Sequence, residues 1–139
     1  MSTERKLFKL IVLCGVLANW GFSVMVMFVD HHTVLGWLGL DTQAPAIWLY
    51  NYSVLLIMLS CFYIPAAIDP LRYRANAWLL IFGRLVPATT FLVGVMMGYM
   101  PRNFLTLWMG DGTFGLIELV LLVRILRQAD SPRPAAAAA

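Results

Sequence analysis

AWLLIFGRLVPATTFLVGVMMGYM, residues 77–100, contains two threonines and one charged side chain, Arg84, and is otherwise apolar. Crossing the hydrocarbon core of a bilayer takes roughly 20 predominantly apolar residues in a helix. The stretch has that length, and it lacks the polar face by which a surface helix of a soluble protein meets water. It predicts a membrane-spanning helix, and its one costly feature is a cation inside the span.

The same pattern repeats on either side. Upstream, 46–68 (AIWLYNYSVLLIMLSCFYIPAAI) reads as a second span, with Pro65 in its last turn. Asp69-Pro70 ends it, because a residue before proline avoids helical angles. LRYRAN (71–76) is then a short basic turn between two adjacent spans. Further back, 7–29 reads as the first span, with Asn19 its only strongly polar interior residue. A cleavable signal peptide has an apolar core of about 7–15 residues and a small-residue cleavage site. This run is longer and ends in Met27, Phe28 and Val29, so it reads as a retained helix. Residues 30–46 form a loop in which VLGWLGL (34–40) lies along the membrane interface.

Downstream, Pro101-Arg102-Asn103 breaks the third span. The apolar run 113–126 is too short to cross alone, and Gly110-Asp111-Gly112 precedes it. Either the helix continues through the Gly-Asp-Gly with a kink, or 104–109 lies at the interface and Asp111 caps a short, steep helix. The reading favours the second, with the helix over 112–127. The fold expected is all-α: a four-transmembrane-helix bundle over 1–128, with helices at 7–29, 46–68, 77–100 and 112–127, and a low-complexity tail at 129–139. The runs are apolar all round, which excludes the alternating pattern of a membrane β-barrel.

Composition agrees. Hydrophobic residues make up 61% of the 139 and charged ones 12%, about half the charged fraction that coats a soluble domain. The net charge of +3 does not point to nucleic acid, because the basic residues flank apolar runs. Arg5, Lys6, Lys9, Arg72, Arg74, Arg124, Arg127 and Arg133 all fall on one side of the four-span arrangement, and Arg102 alone on the other. The positive-inside rule then places both termini in the cytoplasm of a bacterial-type inner membrane. Cys14 and Cys61 lie within apolar runs and read as small buried hydrophobes. Neither has the spacing of a zinc or redox motif.

Two residues stand out chemically. An ionised side chain near the bilayer centre costs at least about 2.5–3.5 kcal/mol, so Arg84 and Glu118 each need a partner or a route to water. Counted from the same membrane face, Arg84 lies roughly 10 Å deep and Glu118 roughly 12 Å. If the third and fourth spans are neighbours, the two form an intramembrane ion pair. Otherwise Arg84 snorkels to the surface and Glu118 is protonated. Asp111, on this reading, sits too near the opposite surface to compete for Arg84. His31 and His32 are weak cofactor-ligand candidates. With no third histidine, a bis-histidine haem within the chain is excluded, and only a haem or pigment shared with another chain fits. Four short helices leave little room for a pocket unless chains assemble. No catalytic or metal-binding motif is recognisable, and no enzymatic activity is assigned to this chain alone.

YIPAAIDPLRYR (63–74), followed by WLLIFGRL (78–85), resembles small four-helix membrane proteins of the DoxX-like kind. The resemblance implies a four-helix bundle, and some relatives are thought to serve as membrane subunits beside oxidoreductases. The functional expectation is therefore a non-catalytic accessory or anchoring subunit of a larger inner-membrane complex, with an electron-transfer (oxidoreductase) complex as the kind the resemblance implies. The alternative is a small oligomeric transporter or channel. Expected partners are the lipid bilayer and other membrane subunits or further copies of the chain.

Overall fold

The computed structural model describes residues 2–40 and 46–130, and the regular elements among them are all helical. The helices are α1 (Thr3–Phe28), α2 (His31–Trp37), α3 (Ala46–Cys61), α4 (Ile64–Ile68), α5 (Arg74–Met96) and α6 (Leu105–Asp130), with a 3₁₀ turn at Arg102–Phe104 before α6. Three stretches have the length and hydropathy of a membrane span: Thr3–Phe28, Ala46–Ile68 and Arg74–Met96. The long helices alternate in direction, so α1 begins and α6 ends at one end of the bundle, and α2 covers the other.

The second apolar run is interrupted. Proline has no N–H to give to the carbonyl four residues back and crowds it sterically, so helix α3 closes before Pro65. Phe62 and Tyr63 turn back onto Leu59 and Ser60 through short-range backbone bonds of 3.0 and 3.1 Å. α4 then restarts with Pro65 in its first turn, where the missing N–H costs nothing. Pro65 thus opens a short helix and does not close a long one. α5 ends at Met96, short of the expected residue 100, because Gly98 takes a left-handed φ of 76°, which glycine adopts without penalty.

The fourth helix departs most from expectation. α6 runs unbroken from Leu105 to Asp130, through Gly110-Asp111-Gly112 and into the first residues expected for the tail. Asp111 caps nothing. A glycine inside a helix costs about 1 kcal/mol, whereas a helix end in an apolar medium leaves several backbone groups without partners. Continuity is the cheaper solution. The interfacial segment expected at 34–40 is partly helical: Asp30 caps α2, its carboxylate accepting from the Thr33 N–H at 2.9 Å and from the Thr33 hydroxyl at 2.8 Å. That hydroxyl, followed by the backbone bonds, holds the Asp30 carboxyl below its ordinary range. The rest of the tail, 131–139, lies outside the described residues.

α6 lies against α5 and α1, and α1 also lies along α3 and α4. α5 meets the second apolar run through α4. The continuous core sits at the chain-terminus end, around Phe8, Val12, Tyr63, Ala66, Leu80, Ile81, Leu122 and Ile125. Between α1 and α3 a polar clamp closes the seam: the Asn19 amide donates to the Ser60 hydroxyl at 2.9 Å, and Ser60 donates to the Leu56 carbonyl at 2.7 Å. Cys14 and Cys61, expected to be buried, are exposed on the bundle's outside. In helices apolar all round, apolar neighbours do not mark which face is inside.

Candidate functional site

Arg84 projects from the middle of α5 into the bundle and keeps only 3% of its surface exposed. Room for it comes from glycines. A side chain at Gly15 of α1 would occupy the place of the guanidinium, and one at Gly115 of α6 would press on Leu85 and the Arg84 stem. Small residues at helix contacts let backbones approach closely. Here they also leave a slot the width of a guanidinium. The Phe114 ring covers it, with its centroid 5.1 Å from the guanidinium carbon, a cation–π distance.

The structure brings Arg84 to Glu118: Nε lies 3.1 Å from Oε2, and Glu118 is fully buried. The alignment at this pair is poor for a hydrogen bond, so the contact is an ion pair. It also brings Arg84 to a second carboxylate. Nη1 donates to Asp111 Oδ1 at 3.0 Å. This overturns the expectation that Asp111 stands too far away. Because α6 is continuous, Asp111 and Glu118 are seven residues apart, two turns on one face, and the guanidinium sits between them. The spacing was visible in the sequence, but a helix broken at Gly112 concealed it.

One guanidinium therefore faces two carboxylates. With all three ionised the cluster carries one excess negative charge, and Arg84 Nη2 still has no hydrogen-bond partner. Among the described residues, the other polar groups close by are uncharged: the phenols of Tyr52 on α3 and Tyr63 just ahead of α4, the Thr106 hydroxyl on α6 and the Asn19 amide on α1.

The cluster borders a cavity of about 250 Å³, lined by Gly15, Asn19, Tyr52, Arg84, Asp111 and Phe114 among others. The Asp111 side chain keeps 30% exposure beside it. An apolar chamber of about 290 Å³ adjoins toward α2, walled by Phe22, Val26, Leu35, Phe91 and Phe104. Phe22, Tyr52 and Leu107 line both. A single chain thus forms a half-open pocket, against expectation, because α3 and α5 stand apart above the α3–α4 break.

His31 and His32 lie elsewhere, in the first turn of α2. Their ring centroids are 4.2 Å apart, and His31 meets Tyr50 edge-on at 6.1 Å. They take no part in the Arg84 cluster. No family model, curated protein or solved structure matches this chain.

Proposed function

We propose that this chain is a small carrier: a four-span bundle, both termini cytoplasmic in a bacterial-type inner membrane, that holds its solute at Arg84, Asp111 and Glu118. The observation that carries this reading is the excess carboxylate at the end of a cavity in the middle of the bundle. Ionisable groups at membrane depth are costly and by default point to a functional site, which favours a carrier over a bundle that only anchors a complex. α6, 26 residues long and so about 39 Å, supplies the fourth crossing. Its two carboxylates face Arg84 and not lipid. The basic residues at the chain-terminus end and Arg102 at the other support the orientation.

The test is solute-dependent flux. Purified protein in liposomes holding a pH gradient is offered small amphiphilic cations, anions and neutral molecules. The carrier reading expects one class to dissipate the gradient in the wild type and not in Asp111→Asn. If no class does so at any concentration short of lysis, the reading fails.

A second reading, a membrane subunit beside an oxidoreductase, draws on the resemblance in residues 63–85 and on the outward apolar face of α5, where Phe82, Val86, Val93 and Met96 are exposed. Purification from native membranes in mild detergent separates the two. The subunit reading expects a fixed stoichiometry with a larger partner, and a chain that runs only with itself counts against it.

A further inference from the structure

We infer that the cavity beside Arg84 takes a monovalent organic cation with an apolar body, which exchanges there with a proton. The inference rests on the carrier reading for its biological sense and on the geometry of the cluster for its chemistry.

Charge comes first. Asp111 and Glu118 on α6 face one guanidinium, from α5. Among the described residues, the other elements packed around the cluster add no charge: α1 brings Gly15 and Asn19, Leu38 follows α2, α3 brings Tyr52, and Tyr63 stands just ahead of α4. At membrane depth an uncompensated charge is costly even where, as at Asp111, part of the side chain reaches the cavity, so the site favours one more positive charge. When the cavity holds no ligand, a proton on one of the two carboxylates supplies it. An organic cation beside Asp111 supplies it equally well. An anion would bring a second uncompensated negative charge, and a neutral solute would leave the first in place.

The walls then narrow the class. Asp111 is the carboxylate that borders the cavity and retains exposure, so it is the one the cation reaches. Arg84, almost wholly buried with Nη2 unpartnered, lines the same cavity and holds Asp111 in place from behind. Beyond Asp111 the lining turns aromatic, with Phe22, Tyr52, Phe91 and Phe104, and aromatic faces attract quaternary ammonium groups. The adjoining chamber of about 290 Å³ is at the lower limit of pockets that take small organic ligands, and it is apolar. A compact ammonium head with a short alkyl or aryl body fits both chambers. The exchange balances: the protonated carboxyl loses its proton to water as the cation enters, the carboxylate pairs with the cation, and the charge of the site is unchanged.

The experiment is calorimetry on the full-length protein in detergent with three probes of equal chain length: octyltrimethylammonium, octanoate and octanol. Titrations in buffers of different ionisation enthalpy count the protons released. The expected result is saturable binding of octyltrimethylammonium alone, with about one proton released per cation where the site is protonated beforehand. Asp111→Asn should weaken that binding at least about tenfold, a loss of about 1.4 kcal/mol. Glu118→Gln removes the excess charge and should abolish proton release. The probe comparison needs no variant, so it stands even if a substitution unfolds the bundle. Octanoate or octanol binding as tightly as the cation, cation binding without proton release, or no binding of any probe would each overturn the inference. Flux and binding fail separately. Cation binding with proton release but no flux in liposomes upholds the site and removes the carrier. Flux of an anion alone upholds the carrier and removes this ligand class.

Discussion

The two ends of the bundle are built from similar residues and packed in opposite ways. At the chain-terminus end, α1, α4, α5 and α6 close on one another around Phe8, Tyr63, Leu80 and Leu122, each no more than 1% exposed. Gly83 lets Tyr63 lie against α5, because a side chain there would strike the phenol. At the α2 end the helix ahead of the Pro65 break, α3, stays with α1 and leaves α5, and the space between holds two chambers. Arg84 and its carboxylates sit at the boundary. The contrast teaches that the break at Phe62–Tyr63 does more than end a helix. It lets one apolar run serve as a wall of the solid core below and as a wall of a hollow above.

The largest expected effect comes from the boundary. Arg84→Met leaves the buried Glu118 and the half-buried Asp111 without their cation and should cost about 3–5 kcal/mol, read by reversible unfolding in micelles. Glu118→Gln should cost less, because Arg84 keeps Asp111. The triple change Arg84→Met, Asp111→Asn, Glu118→Gln should recover most of the loss. If Arg84→Met alone is neutral, the cluster is not the electrostatic keystone described here.

Next comes a pair of substitutions that contrasts close packing with open space. Gly83→Val forces Tyr63 out of the solid half and should cost about 1–3 kcal/mol by overpacking. Gly110→Ala meets open space and should stabilise α6 by up to about 1 kcal/mol. Equal effects at the two positions would erase the distinction between the halves.

A smaller stability effect, paired with a large functional one, is expected inside the hollow. Leu107→Phe adds volume where both chambers meet, so stability should change by no more than about 1 kcal/mol, while cation binding is lost. Destabilisation as large as that of Gly83→Val would mean the chambers are already filled.

The smallest effect is local. The Asp30 carboxyl is held below its ordinary range by Thr33, so its contribution to α2 is full above the usual carboxylate pKa of about 3.9 and is lost as pH falls through the depressed value. Amide spectra should show α2 fraying in acid in the wild type and near neutrality in Asp30→Ala. An α2 indifferent to both would remove Asp30 as its cap.

Three apolar spans near 7–29, 46–68 and 77–100 were legible because composition and length decide them; their ends were not, since α1 starts at Thr3, α5 starts at Arg74 inside the expected basic turn and stops at Met96, and the second run is divided ahead of Pro65. Arg84 and Glu118 were legible for the opposite reason: each is a costly exception in an apolar run. Asp111 was missed because two flanking glycines imitate a loop, a signal learned from water, where a helix end can be solvated. The cavity was illegible in principle. Apolar residues line lipid, core and hollow alike, and Pro65, read as the last turn of one span, gave no sign that α3 and α5 would part. The exposed Cys14 and Cys61 follow the same rule.

The division into a hollow half and a solid half is tested most directly by thiol labelling in sealed liposomes. Cys14 and Cys61 are replaced by alanine, and single cysteines are placed at Leu107, which lines both chambers, and at Leu80 and Leu122 in the core. A water-soluble maleimide should modify Leu107→Cys from the α2 side, octyltrimethylammonium should slow the reaction, and Leu80→Cys and Leu122→Cys should stay unreacted in the folded protein. Equal protection at all three positions, or labelling of the core cysteines as fast as of Leu107→Cys, would contradict the account.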